Sequence, residues 1–258
     1  MQQYSHNYSV TAADMDTAYR MTPNAVLLYY QDAWARFMGC LRMAAFDVVK
    51  QNRMWVIAEF NAWFEQRNAH WGDEIVVTVW NSELTALRVY ADFTISLADG
   101  TPIAHGYGVW TLLDILAHRL APLAPFETQL PVLQRMTTPD HRKERLTPGG
   151  EVRQQLIHRV NPINLDFNGH VNNRTYLSIA MQTASAEMTD QLAVRRLAIH
   201  WLRETFLGDT LTSRLAETQP GVFLTTISNQ DDVPVAQIFA ETAPRAAEPD
   251  IAEIATRQ

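Results

Sequence analysis

Cysteine is almost missing from this chain: Cys40 is the only one in 258 residues. That excludes an intrachain disulfide and a cysteine-built metal cluster. A lone thiol ending an apolar-periodic run is expected to be a small buried side chain. Long hydrophobic runs are missing too. No stretch reaches the roughly 18 apolar residues of a helical membrane span. The start, Met1-Gln2-Gln3-Tyr4-Ser5-His6, is polar and has no basic stretch followed by an apolar run, so no signal peptide is read. A soluble, cytoplasmic protein without membrane insertion is expected. Basic charge is scarce: 21 Lys and Arg against 28 Asp and Glu give a net charge of −7, which argues against a general nucleic-acid binder. Neither Gly-x-Ser-x-Gly nor Gly-x-x-x-x-Gly-Lys occurs. His70, His105 and His200 show no metal-ligand spacing, so neither metal nor cofactor is expected.

What the chain does have is enough apolar residue, 47%, for a core of ordinary size in one large domain or two of about 100–150 residues. Its most informative stretch is Asp166-Phe167-Asn168-Gly169-His170-Val171-Asn172-Asn173-Arg174-Thr175-Tyr176. A carboxylate, a carboxamide and an imidazole alternate there. Alternation predicts Asp166, Asn168 and His170 on one side of an extended segment. A helix start follows at once, with Asn172 as candidate cap, and would offer free N–H groups and partial positive charge. A carboxylate beside donors aimed at a developing oxyanion is suited to acyl transfer. Taken singly, Asp and Asn before a helix are more often turn formers and caps.

The chain also carries a repeat. Val10 to Asp16 leads to Met21-Thr22-Pro23 and an apolar-periodic run; Val160 to Asp166 leads to Val171-Asn172-Asn173 and another, 150 residues on. Trp71-Gly72-Asp73 and Leu207-Gly208-Asp209 form a second pair of landmarks, each before an alternating segment. In these registers Asp16 falls opposite Asp166, Ala18 opposite Asn168, Arg20 opposite His170 and Asn68 opposite Glu204.

Each half reads as a strand, a helix, then several strands. Thr22 and Pro23 suit the N-cap and first position of a helix, and Val26, Leu27, Tyr30, Trp34, Phe37 and Met38 recur at helical spacing up to Gly39. Strands are expected at 55–64, 74–80, 86–97 and 103–113, with Asp99-Gly100 as a hairpin turn. The second half predicts a helix stripe of Tyr176, Leu177, Ala180, Met181 and Ala184. Its strands are expected at 197–203, 210–215, 222–228 and 233–241, with Asp231-Asp232 in the last turn. Pro122, Pro125, Pro131, Pro139 and Pro148 mark a connection. The expected layout is an N-terminal domain at 1–116, a linker at 117–150, a C-terminal domain at 151–242 and a loose or helical tail at 243–258.

The 166–176 run resembles the signature of the hot-dog-fold thioesterases, and most closely that of the acyl-acyl-carrier-protein (acyl-ACP) thioesterases of bacteria and plastids, Asp-x-Asn-x-His-Val-Asn-Asn-x-x-Tyr. Every fixed position of that pattern is present. The resemblance runs from about Tyr8 to Glu241. It implies an α+β tandem hot-dog fold, two helices each wrapped by an antiparallel sheet, and hydrolysis of fatty acyl-ACP to free fatty acid. It also implies a glutamate on a later strand, a role carried over to Glu204. Plant members often have a cysteine beside that glutamate. Thr205 stands there, so a thiol nucleophile at that point is excluded.

On this reading Asp166 is either general base for water or direct nucleophile forming an anhydride. Asn168 orients water or carbonyl, and His170 donates towards the departing thiolate. Backbone N–H groups near Val171 and Asn172 form the oxyanion site. The first half lacks Asn168, His170 and Glu204 equivalents, so one site per chain is expected in the second half. Tyr30, Trp34 and Trp55 are candidates for the acyl pocket wall. Arg174, Arg195, Arg196 and Arg203 would form a basic rim for acidic acyl carrier protein. Acyl-CoA is the nearest alternative substrate, favoured less because of the double fold and Glu204. A hot-dog dehydratase would place its His and acid on a different pattern, and a non-catalytic acyl-binding protein would have no need of all four polar residues. Monomer and homodimer both remain open.

Overall fold

The computed structural model describes residues 1–17, 19–138, 146, 149–184 and 191–245. The chain divides into two compact units, Met1–Glu144 and Arg145–Gln258.

The first unit begins with β1 (Tyr4–Ser9), passes through a short 3-10 turn and enters helix α1 (Pro23–Cys40). Thr22 caps α1, its side chain accepting from the Ala25 N–H at 3.2 Å, with Pro23 at the first position as expected. Gly39 lies inside the last turn instead of beyond it, and Cys40 is exposed, not buried. The helix runs two residues past Met38, its last buried side chain. After a one-turn helix α2 (Ala45–Val48) come β2 (Arg53–Phe64), β3 (Glu74–Leu84), β4 (Val89–Leu97), β5 (Pro102–Asp114) and the short β6 (Arg119–Ala121). They form an antiparallel sheet in the order β1-β3-β4-β5-β2, with β6 on the end of β5.

One face of this sheet holds α1. Asn81, Ala91, Gly108 and Phe60 are cross-strand partners and share that face. Gly108 is there because of close approach: a Cβ on it would lie 2.3 Å from the Tyr30 hydroxyl. Tyr30 donates to the Ala91 carbonyl (3.2 Å) and accepts from the Trp110 Nε1–H (2.8 Å). Trp34 stacks on Trp110 at 3.9 Å and meets Trp55 edge-on at 5.3 Å. Such pairs contribute about 0.5–1.5 kcal/mol beyond their buried area.

The opposite face presents the row Trp80, Asp92, Tyr107 and Asn61. The first part of the segment expected as a linker closes it. The Trp80 Nε1–H donates to the Arg135 carbonyl (2.6 Å), the Arg135 guanidinium lies 3.8 Å over the Trp80 ring, and the Thr137 N–H donates to Asp92 Oδ1 (2.7 Å). With β6 paired and Leu123, Phe126 and Leu130 buried, residues 117–138 belong to the first unit. The charged cluster at 141–145 lies outside the described residues.

The second unit has β7 (Glu151–Arg159), α3 (Asn173–Thr183), β8 (Leu192–Trp201), β9 (Thr210–Gln219), β10 (Val222–Ser228) and β11 (Pro234–Pro244). The antiparallel order is β7-β9-β10-β11-β8. Apart from α2 and β6, which have no counterpart among its described residues, this repeats the first unit: strand, helix, four strands, and the same neighbours. β11 reaches Pro244, into the expected tail, whose remainder lies outside the described residues. Within each unit one helix is wrapped by an antiparallel sheet, the α+β hot-dog fold.

The backbone frame of the repeat is also the same. Met21 N–H to Ala69 O (2.9 Å) matches Val171 N–H to Thr205 O (2.9 Å), and Thr22 N–H to Asp14 O matches Asn172 N–H to Asn164 O, both 2.8 Å. The bridge Arg20↔His70 matches His170↔Phe206. The side chains on this frame differ, and the site depends on them.

Candidate active site

The segment bearing Asp166, Asn168 and His170 is not extended. It is a tight turn closed by the bridge Leu165↔Val171 and by the Asp166 N–H donating to the His170 carbonyl (2.8 Å). Gly169, at φ +79°, provides the left-handed residue on which the turn closes. Asp166 Oδ1 accepts from the backbone N–H groups of Asn168 (2.8 Å) and, weakly, His170 (3.4 Å). Asp166 is therefore a turn former, as the bland reading held. Among the described residues its Oδ2 has no protein partner, so one carboxylate oxygen is left for chemistry.

Asn168 is exposed and Asp166 and His170 are half-buried. Glu204 lies beyond the end of β8, on the loop to β9, and not on a strand. Its Oε1 is 3.6 Å from His170 Nδ1. That is an ion pair when the imidazole is protonated, and too long for a hydrogen bond. Phe206, from the same loop, meets the His170 ring edge-on at 5.1 Å. The second unit thus brings Asp166, Asn168, His170 and Glu204 to one place through two adjacent loops.

Two expectations do not hold. The N–H groups of Val171 and Asn172 are already bonded, to Thr205 O (2.9 Å) and Asn164 O (2.8 Å). A helix start tied into a bridge has spent these donors, so neither is free for an oxyanion. Asn172 instead caps α3, its Oδ1 accepting from the Arg174 N–H (2.9 Å). The Asn168 side chain, by contrast, is exposed. The second correction concerns the basic rim. Arg196 is buried, its Nη1 bonded to Glu241 (3.2 Å), and cannot face a partner protein. Arg203 is exposed, and Arg174 and Arg195 are half-buried. In the first unit, Tyr30 and Trp34 are fully buried in the aromatic stack and Trp55 is half-buried, its Nε1–H on the Met43 carbonyl (2.8 Å).

Sequence reasoning gave Phe206 no role, and it named Tyr176 and Thr205 without pairing them. Phe206 flanks the imidazole. The hydroxyls of Tyr176, on the first turn of α3, and Thr205 lie 2.6 Å apart. Burial pushes the Tyr176 phenol from 10.0 up to about 12. Lining up the two halves would have singled out the last two, because their counterparts are Val26 and Ala69.

The first unit keeps the turn and carries different side chains on it. Tyr19 takes the left-handed position at φ +59°, and the Arg20 guanidinium closes on Asp16 at 3.3 Å. Asn68 folds back on the main chain, its Nδ2 donating to Met21 O (3.3 Å) and its Oδ1 accepting from the Ala69 N–H (2.8 Å). Among the described residues no cluster of His, Cys, Asp and Glu could hold a metal ion, and no helix is long and apolar enough to cross a membrane.

A helix wrapped by an antiparallel sheet, present twice, defines a tandem hot-dog protein. Residues 1–126 match the family model of the acyl-ACP thioesterase N-terminal domain and residues 150–241 that of the C-terminal domain. The chain belongs to the acyl-ACP thioesterase family. Its fold is shared with an acyl-ACP thioesterase from Bacteroides thetaiotaomicron (TM-score 0.84, 15% identity, 94% of this chain and 98% of that one). It is shared equally with the 12:0-ACP thioesterase of Umbellularia californica (TM-score 0.85, 15% identity, 95% of this chain and 98% of that one). Among curated proteins, the chloroplastic acyl-[acyl-carrier-protein] hydrolase FATB1 of Cuphea viscosissima is 23% identical over 174 residues, 64% of this chain and 41% of that sequence. The chain thus spans less than half the length of the curated relatives it matches.

Proposed function

We propose that this chain hydrolyses the thioester of a fatty acyl group carried on acyl carrier protein, releasing the free fatty acid. The observation that carries the reading is the clustering of Asp166, Asn168, His170 and Glu204 in the second unit of a chain whose two halves match the two domains of one thioesterase family.

A thioester carbonyl is electrophilic because sulfur donates poorly into it. The free Oδ2 of Asp166 takes a proton from water as its oxygen attacks, or attacks the carbonyl itself and is released by water in a second step. Asn168 donates to the oxyanion as it forms. The carbon–sulfur bond breaks, and protonated His170, held by Glu204, supplies the proton that the departing thiolate takes up. The net reaction consumes one water and yields a carboxylic acid and a thiol. Arg203, exposed on the same loop as Glu204, offers a positive charge to an acidic carrier.

The test is hydrolysis of a panel of acyl-ACPs and matched acyl-CoAs, short to long, by wild type and Asp166→Ala. The reading expects turnover of acyl-ACP, lost in the variant. Preference for CoA would reassign the carrier and keep the chemistry. Saturable acyl binding without turnover of either would overturn it.

A further inference from the structure

The four residues just described do not explain what holds Glu204 in place. It sits on a loop, its side chain is substantially exposed, and its only described carboxylate contact is the 3.6 Å approach to His170. The residue after it is fixed from two sides. The Thr205 carbonyl accepts from the Val171 N–H, and the buried Thr205 hydroxyl meets the Tyr176 hydroxyl at 2.6 Å. Nearby, the Trp201 Nε1–H donates to the Asn173 carbonyl at 3.2 Å. Both side-chain contacts join the first turn of α3 to the segment around Glu204.

The first unit supplies an internal control. The backbone bond survives there as Met21 N–H to Ala69 O, so the fold needs it. The hydroxyl pair does not survive. Val26 and Ala69 stand in its place, both buried and apolar. In that half Glu204 has become Asn68, which bonds to its own main chain, and His170 has become Arg20. A buried hydroxyl pair is therefore dispensable for the hot dog and present only where the glutamate is. A desolvated hydroxyl pair with good geometry also fixes one arrangement more sharply than an apolar contact does.

We propose that Tyr176 and Thr205 are positioning residues: their hydroxyl–hydroxyl contact ties the helix start to the β8–β9 loop and sets the Glu204 carboxylate against His170. The proposal rests on the thioesterase reading. Both side chains act through Glu204 and neither touches the acyl group. Placement errors of about 1 Å cost up to about 100-fold in rate, which sets the scale expected here.

The experiment compares wild type, Tyr176→Phe, Thr205→Val, the double variant, Thr205→Ser and Glu204→Gln in acyl-ACP hydrolysis, with kcat, KM and the pH–rate profile measured for each. Expected are a fall in kcat of about 10- to 100-fold for Tyr176→Phe and Thr205→Val, and little change in KM. The double variant should be no slower than the worse single one, since the two hydroxyls act as a unit. Thr205→Ser should restore the rate. The limb of the pH profile that Glu204→Gln abolishes should be displaced in the tether variants. If either isosteric variant fails to fold, the pair Tyr176→Val with Thr205→Ala, which copies the first unit, replaces it. Tether variants at full rate with an unmoved pH profile, while Glu204→Gln is slow, would overturn the proposal alone. A wild type inert towards every acyl-ACP would overturn the thioesterase reading beneath it.

Discussion

The two carboxylate oxygens of Asp166 differ in their surroundings, and the structural role can be separated from the proposed catalytic one. Oδ1 holds the turn and Oδ2 is open. Asp166→Asn keeps an acceptor for the Asn168 and His170 N–H groups and removes the basic oxygen. It should lower kcat/KM by about 100- to 10,000-fold and leave the thermal midpoint nearly unchanged. Kinetics and a melting curve on one preparation check both halves of that statement. A large drop in midpoint with modest loss of rate would mean the structural job dominates. At this scale the sequence was legible where residue type decides. Asp166, Asn168 and His170 were named from the family pattern and Glu204 from a later segment, and the fold sets Glu204 beside His170. It was illegible where backbone bonding decides: the donors of Val171 and Asn172 are spent on Thr205 and Asn164, which only the folded loops reveal. Burial of Arg196 against Glu241 is equally invisible in a one-dimensional string.

Elements were readable where their pattern was strong. Thr22-Pro23 starts α1 and Asn172 caps α3 as expected. β1 and β7 were not delimited beforehand, because edge strands such as Glu151–Arg159 carry polar residues on their solvated side and blur the alternation. The turn at 165–171 was taken for an extended segment, since alternation of residue type does not by itself distinguish a strand from a loop. Two glycines test the element packing. In Gly108→Ala the new Cβ would meet the fully buried Tyr30 ring at 2.8 Å and its hydroxyl at 2.3 Å. Overpacking should cost about 1–3 kcal/mol in denaturant titration, and Tyr30→Phe should recover part of it. In Gly169→Ala no atom lies within 4 Å of the new Cβ, so only the left-handed backbone resists. That should cost about 1 kcal/mol, a loss that an unchanged unfolding midpoint would rule out.

For the whole molecule, three phenols link stability to alkali. Burial pushes Tyr8, Tyr29 and Tyr176 upward, with Asp32 and Asp14 adding to the first two, and Tyr176 from 10.0 to about 12. Below pH 10 both folded and unfolded chains hold these protons, so stability is full there. As pH rises past 10 the unfolded chain releases them and the folded one does not, so stability falls, for Tyr176 until about pH 12. Denaturant midpoints at pH 8 and at pH 11 should show the decline, and Tyr176→Phe should make it shallower. A slope unchanged in that variant would remove Tyr176 from the account. At this scale the duplication was the most legible property, because landmarks such as Gly72-Asp73 and Gly208-Asp209 stay recognisable at low identity. The extent of the first unit was less so, since the proline-rich look of residues 117–138 hides that they pair with β5 and cover the outer face of its sheet.

The matching main-chain bonds of the two halves show that one scaffold tolerates two different sets of loop side chains, of which the first unit's is silent on the proposed reading. The silent loop is thus a ready acceptor for grafting. Its Asp16 is already in register, its turn already closes, and the Arg20–Asp16 clasp is the lock to be removed. Writing an asparagine at 18, a histidine at 20, a glutamate at 68 and the Tyr–Thr pair at 26 and 69 would ask whether a second reaction centre can be installed by side chains alone, and so how far protein chemistry can be exchanged without touching architecture.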